Sequence, residues 1–350
     1  MFMRKTLLGA LIGIGLAATA PAQSEELTVG LSAMARSMDP HFQNSGTDVS
    51  NMLHIFDKLI LQDEKQQLVP GLATSWKRLD ELHWEINLRQ GVTFHDGTPF
   101  TAEDAVFTFK RAAKVPNSTS PFTTYTKTIA STEIVNPHKI IITTSYPAPL
   151  LPQDLSTFGV ISRKHGENAA TEDYNSGKAA IGTGPYKFAE YVPGERIVFV
   201  PNPSYWGPKA EWTKVTFKQL ADSASRIAAL KAGDVGMISD VPADDAKKLM
   251  SDPKFDVSRT VSNRVIYLTL DSERDVPINM TDNDGKPLQK NPLKDVRVRK
   301  AISLSINRQG IIDSIMEGQA IAAGQVLPEG MFGYNPNLKV DPYDVQAALS

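Results

Sequence analysis

The chain has 350 residues, with 37 Lys plus Arg against 39 Asp plus Glu, six His and no Cys. That length accommodates roughly two or three domains, and the near balance of charge leaves no net field to attract nucleic acid or anionic lipid. The missing thiols exclude disulfides, thiolate zinc sites, a cysteine nucleophile and a lipid-modified cysteine anchor.

The first residues read as a targeting segment. Arg4 and Lys5 form a basic start, Leu7 to Ala18 is a short apolar run, and Ala20-Pro21-Ala22 supplies a small-residue cleavage site before Gln23. A signal peptide over 1–22 is expected, and with it export as a freely soluble protein to a periplasm. The apolar run is too short to span a bilayer comfortably.

Glu26 to Ser32 reads as a buried strand, followed by a loop through Met34, Arg36, Ser37 and the Asp39-Pro40 turn. Val49 to Leu61 carries Met52, Ile55, Phe56, Leu59 and Ile60 at helical spacing, which predicts a helix with His54 beside its apolar face. Leu82, Trp84, Ile86 and Leu88 alternate with polar residues as in a half-buried strand. Asp96-Gly97 is a turn pair, and Thr101 caps a helix with Asp104 in the capping-box position. Pro116 to Pro121 breaks the chain. A hairpin is predicted over 132–145, with its turn at Asn136-Pro137-His138.

Further on, Gly182-Thr183-Gly184-Pro185-Tyr186 fixes a tight bend, and no basic helix follows that would cradle a phosphate. Strands are expected at Arg196 to Val200 and Lys214 to Leu220, and a helix from the Asp222 cap to Gly233. Another strand is predicted at Asn263 to Leu270. The acidic loop Thr281 to Lys286 lacks the further oxygen ligands and distal Glu of a calcium loop, so a solvated turn is expected. A helix begins at Asp295 and runs through Arg308, and Pro342 to Ser350 opens another.

Ser75 to Thr108 reads S-W-x(7)-W-x-I-x-L-R-x-G-V-x-F-H-D-G-x-P-F-T-A-x-D-A-V-F-T. This string resembles the signature of the family 5 extracellular solute-binding proteins, the peptide- and oligopeptide-binding components of bacterial ABC importers. Gly182 to Tyr186, Asn202 to Gly207 (N-x-x-Y-W-G), Arg226 to Gly233 and Asp295 to Arg308 resemble further strings of that family. The chain departs from the pattern at Gly236, where an acid is usual, and at Leu270-Asp271, where Asn usually closes the strand.

The resemblance implies an α/β, periplasmic binding protein-like two-lobe fold of the type II, large peptide-binding class, with an extra α+β domain. Lobe I would comprise 23–60 and 171–266, the extra domain 61–170, and the N-terminal part of lobe II 267–350. Family members run on for about 100–200 residues more, so the second lobe is expected to be incomplete here. The acidic and basic residues that hold peptide ends in relatives fall in that further stretch.

Implied partners are a small peptide and the permease subunits of an ABC transporter, with no nucleic acid, no cofactor and a monomeric chain. The residues expected to face the inter-lobe cleft are Met34, Arg36, Ser37, Ser239, Asp240 and Tyr267. Tyr205 and Trp206 are read as packing residues. Other readings are a carrier for another solute such as a metal chelate, haem or a glutathione-like compound, a non-functional remnant, and a periplasmic hydrolase. The hydrolase reading rests on His95-Asp96 alone, since no G-x-S-x-G, H-E-x-x-H or metal-ligand spacing occurs.

Overall fold

The computed structural model describes residues 25–262 and 264–350, so the signal-like segment 1–22 lies outside the described residues. The chain begins with β1 (Glu26–Leu31), α1 (Gly46–Met52) and a ribbon of β2 (Ile60–Gln62) and β3 (Leu68–Pro70). Next come β4 (Ala73–Arg78), β5 (His83–Leu88), α2 (Ala102–Ala112), α3 (Thr123–Thr126), β6 (Ile129–Asn136) and β7 (Lys139–Thr144). Three short helices follow, α4 (Leu151–Asp154), α5 (Arg163–Gly166) and α6 (Thr171–Asn175). Then β8 (Tyr186–Val192), β9 (Arg196–Pro201), β10 (Lys214–Gln219), α7 (Ser223–Ala232), β11 (Met237–Ile238) and α8 (Ala243–Met250) complete the first sheet and its cover. The last elements are α9 (Val296–Leu304), α10 (Arg308–Ser314) and α11 (Val345–Leu349).

Two sheets carry the architecture. One has the order β11-β1-β10-β9-β8, with β1 parallel to both β10 and β11 and the rest antiparallel. The other is wholly antiparallel, β4-β5-β7-β6. In that second sheet Trp84 pairs with Ile142 and Ile86 with Ile140, so the apolar residues of β5 and β7 fall on one face. That face meets Ala102, Ala105 and Phe109 of α2 in one hydrophobic cluster. Val29, Ile197, Phe199, Val215 and Phe217 of the first sheet build a separate cluster with Met34, Met38, Ile55 and Phe56. Each large aliphatic or aromatic side chain fully withdrawn from water there contributes roughly 1.5–3 kcal/mol.

Local signals place most of these elements. Asp104 accepts the Thr101 N–H at 2.9 Å at the start of α2, and Asp222 accepts the Ser225 N–H at 2.8 Å at the start of α7. Gly233 ends α7 at φ +82, a left-handed cap that a Cβ would strain.

The helix expected over 49–61 is shorter than its apolar spacing implies. It stops at Met52 because the carbonyls beyond it serve other segments. His54 O accepts from Tyr186 N–H, Ile55 O from Gly184, Asp57 O from Val160, Lys58 O from Leu72 and Leu59 O from Ala73, at 2.7–3.0 Å. None is left for an i+4 partner. The expected strand at 263–270 is also absent: its described residues, 264–270, belong to no strand and make no backbone–backbone hydrogen bond. Ile266, Tyr267 and Leu268 are exposed, Ile266 at 87%. The helix expected to run through Arg308 breaks after Leu304, and Asn307 caps α10 by accepting the Gly310 N–H.

The bend at Gly182 and Gly184 is where the chain re-enters beside residues 54–56. A Cβ at Gly182 would collide with the Ile55 carbonyl oxygen, whereas one at Gly46 would meet nothing within 4 Å. Gly182→Ala is expected to cost about 2 kcal/mol or more, and Gly46→Ala to be neutral or slightly stabilising. Equilibrium urea unfolding of the two variants against wild type checks this, and equal stability of the two would contradict it.

Candidate functional site

Three of the family-like strings converge on one buried carboxylate. Asp57 accepts hydrogen bonds from Thr183 Oγ1 at 2.9 Å, Trp206 Nε1 at 2.8 Å and Tyr205 Oη at 3.3 Å. Arg89, from the L-R-x-G part of the signature, lays its guanidinium 4.3 Å from the Trp206 ring centroid. Burial pushes the Asp57 carboxyl up in pKa even though three donors pull it down. Tyr205 and Trp206 are thus committed to internal bonds with Asp57.

His95 and Asp96 share no hydrogen bond, and the Asp96 charge only partly offsets the effects that lower the His95 pKa. His95 Nδ1 accepts the Gly182 N–H at 3.3 Å while Nε2 lies 3.1 Å from Gly184 O, so one ring nitrogen accepts and the other donates. That pattern requires a neutral imidazole. Burial, with the Lys187 charge assisting, lowers the His95 pKa to about 4. Asp96 turns the other way, to His165, Lys164 and Thr98. The pair is turn architecture with no free nucleophile or base.

A second buried knot ties the loop after β1 to α2. Arg111 reaches Asp39 through both terminal nitrogens at 2.8 and 2.7 Å, and Thr171 Oγ1 adds a bond at 3.0 Å. Burial raises the Asp39 pKa, but the Arg111 hydrogen bonds and charge outweigh it, and the carboxyl lies below its ordinary value. His41 faces this pair: Nε2 meets Gly159 O at 2.8 Å and Nδ1 takes Arg111 at 3.3 Å. It is neutral for the same geometric reason as His95, and burial first and the Arg111 charge second hold its pKa near 4.

These knots fix the loop that follows β1. Ala35 N–H donates to Asn51, Arg36 N–H to Asp48, and Met38 N–H to Asn175, each at 2.8–2.9 Å. Tyr191 Oη donates to Ala35 O at 3.2 Å. The loop leaves the carboxyl end of β1, which lies beside the carboxyl ends of its parallel neighbours β10 and β11. Crevices at such strand ends are where open α/β sheets hold ligands.

The six candidate residues are placed unequally. Ser239 and Asp240 follow β11 directly, and Ser32 Oγ donates to Asp240 Oδ2 at 2.5 Å, joining them to the β1 loop. Arg36 is exposed on that loop, and its side chain makes no ion pair with the described residues. Met34 is buried in the cluster around β1, and Ser37 is buried with its hydroxyl on Asn175. Tyr267 is 66% exposed in the unpaired 264–270 run.

Sequence reading missed Asp57, Asp48, Asn51, Arg111, Asn175 and Arg226. Arg226 is buried and spends its guanidinium on the carbonyls of Leu220, Ala221, Ser239 and Asp240. The legible sign was an arginine on the same helical face as Ile227 and Leu230. Among the described residues no group of three or more His, Cys, Asp or Glu is placed to hold a metal ion.

This architecture is that of the type II periplasmic binding proteins. The model for bacterial extracellular solute-binding proteins, family 5, matches residues 67–350, and the chain belongs to that family. It is 29% identical over 344 residues to the probable D,D-dipeptide-binding periplasmic protein DdpA of Escherichia coli, covering 95% of this chain and 63% of the relative. Two solved structures are similar at 26% identity, each covering 93% of this chain. One is NikZ from Campylobacter jejuni in complex with Ni(L-His), at a TM-score of 0.74 and 62% of its chain. The other is DppA from Helicobacter pylori in complex with the peptide STSA, at 0.72 and 64%. This chain therefore spans less than two thirds of the length of these relatives.

The neutral histidines give a pH prediction. His41 has a folded pKa of about 4 against an ordinary 6.5, so between those values the unfolded state binds the extra proton. Its contribution to stability is whole above pH 6.5 and is lost as pH falls toward 4. Asp154, raised by burial to about 6 despite Lys127, works in the opposite direction over much of the same window. A difference measurement removes it. The stability gap between wild type and His41→Gln should shrink by up to about 1.4 kcal/mol per pH unit on acidification through this window. Urea titrations at several pH values measure it, and a constant gap would rule the account out.

Proposed function

We propose that this chain is a solute receptor of an ABC import system, located in the periplasm and delivering short peptides to an inner-membrane permease. The observation that carries the reading is membership of solute-binding family 5 over residues 67–350. It is supported by the rigidly held loop at the carboxyl ends of the parallel strands. The DppA relative was solved with a peptide and DdpA is described as dipeptide-binding. The address rests on the basic, apolar and A-x-A segments of residues 1–22. Among the described residues no helix is long and apolar enough to cross a membrane.

In this reading lobe I comprises 23–60 and 171–266, the extra domain 61–170, and residues 267–350 begin lobe II. The two hydrophobic clusters divide along a similar line, though Leu59 and Ile60 pack with the extra-domain cluster and Ile161 with that of lobe I. Met34, Arg36, Ser37, Ser239, Asp240 and Tyr267 belong to the ligand side. Arg36, Ser239 and Asp240 meet the ligand from lobe I, while Met34 and Ser37 act through the loop whose path they hold. Tyr267 contributes from the crossover when the lobes close. Binding is closure of the lobes about a hinge, driven by contacts made only in the closed state. An extended peptide is gripped through its backbone, with water-filled space for varied side chains. The chain acts as a monomer and catalyses no reaction.

Thermal unfolding of the purified mature chain tests this. A short-peptide pool should raise the midpoint of a cooperative transition, with about 2.7 kcal/mol of stabilisation at about 100 times Kd. A nickel–histidine chelate should leave it unchanged. A shift with the chelate alone would replace the peptide reading with that of a chelate carrier, and an absent or unmoved transition would overturn it.

A further inference from the structure

The main chain around Lys58 is fixed on both sides. Its carbonyl accepts the Leu72 N–H at 3.0 Å, the Asp57 carbonyl accepts that of Val160 at 2.8 Å, and Lys58 bridges Gly159 in antiparallel fashion. Asp57 sends its carboxylate to Thr183, Tyr205 and Trp206. Lys58 instead lines a cleft between α1 and residues 157–159. Pro40, Val49, Met52, Leu53, Phe56 and Phe158 give that cleft apolar walls. Its one hydroxyl is that of Thr157, which donates to Asp154 O at 2.6 Å. Among the described residues, Lys58 is the only charged one in the lining.

A surface lysine ordinarily lays its stem on apolar groups and keeps its ammonium in water. Lys58 is half-buried, and no hydrogen bond or opposite charge compensates its ammonium. Burial alone lowers its pKa from 10.5 to about 8. The neighbouring titratable groups do not restore the charge: Asp57 is engaged elsewhere, and His41, bonded to Gly159 O, is neutral. At pH 7.5 roughly a quarter of such amines are unprotonated, against about a thousandth at an ordinary lysine pKa. The unprotonated amine is the nucleophile.

We propose that Lys58 is a covalent capture site for small apolar aldehydes, which it holds as a Schiff base. The amine nitrogen adds to the carbonyl carbon, the resulting carbinolamine loses water, and a C=N bond forms. The step consumes no oxidant or reductant. The walls select the class of electrophile, because an imine bearing an alkyl group sets apolar atoms against apolar atoms. A carbamate formed with carbon dioxide would place a carboxylate where no cation pairs with it. An aldose would bring several hydroxyls to walls that have one hydroxyl to answer them. The inference is independent of the peptide reading, since no residue of this cleft is among the six assigned to the ligand side.

The test incubates the purified chain with propionaldehyde and cyanoborohydride, which reduces each imine to a stable propyl-lysine. Digestion and mass spectrometry then give the labelling rate at each lysine. At about pH 7 Lys58 should be labelled about ten-fold or more faster than the exposed Lys77 and Lys231. The gain is smaller than the ratio of unprotonated amines, because a less basic amine is also a weaker nucleophile. The advantage should shrink about ten-fold between about pH 7 and pH 9, where the exposed amines gain unprotonated form and Lys58 has little left to gain. It should also vanish in denaturing urea, because the fold creates it. Equal rates at the three lysines of the folded chain, or an advantage that survives urea or ignores pH, would overturn the assignment. Glucose in place of propionaldehyde should show no preference for Lys58. A preference as strong as that of propionaldehyde would overturn the apolar class of ligand.

Discussion

The buried Asp57 carboxylate and the backbone of residues 54–59 are the constraint on which the surrounding fold depends. A carboxylate taken out of water is costly unless its lone pairs are filled. Here they are filled by groups from two distant strings, Thr183 on one and Tyr205 and Trp206 on the other. The carbonyls on either side of Asp57 accept from residues 72, 73, 160, 184 and 186. A stretch that could have been helix is instead the peg to which five other positions are tied. The glycines at 182 and 184 are required because the partner is a backbone, and backbones meet closely only where no side chain stands between them.

The two buried histidines follow the same logic. Each uses one ring nitrogen as donor and the other as acceptor, which makes the imidazole a neutral spacer between fixed groups. His41 accepts a hydrogen from the arginine that also binds Asp39, so the charge of Arg111 serves both the ion pair and the neutrality of the histidine. Removing either member of the Asp39–Arg111 pair would strand a buried charge, the costly way to break such a contact. Within the signature stretch, Arg89 lies over the Trp206 ring and His95 bonds Gly182 and Gly184, so these two side chains are engaged by distant segments of the chain.

The sequence disclosed what local chemistry decides. Alternation gave β5 and β7, side-chain caps gave the starts of α2 and α7, and Gly233 gave an end. It was misleading wherever the outcome rests on a distant partner. Residues 53–61 have the apolar spacing of a helix, and only the demand of residues 72, 73, 160, 184 and 186 for their carbonyls overrides it. The run at 264–270 has the composition of a strand yet joins neither sheet. Position after strands led to one juxtaposition the structure shows, Ser239 and Asp240 beside the β1 loop, where Ser32 bonds Asp240. The scaffold was not legible: Asp48, Asn51 and Asn175 act through side-chain-to-backbone bonds spanning 12 to 137 residues of sequence, a pairing that no local pattern encodes.

The charges on this molecule differ in what meets them. Asp57, Asp39 and Arg111 are consumed internally, each with its partners supplied by the chain. They set the geometry and are insulated from whatever solute arrives. Asp240 is exposed, held by the hydroxyls of Ser32 and Ser239 and by a backbone that Arg226 fixes. A site built this way pays its ordering entropy during folding, before any ligand binds. The exposed apolar residues of the later chain, Ile266, Tyr267 and Leu268 among them, are the part of this molecule with area still to bury.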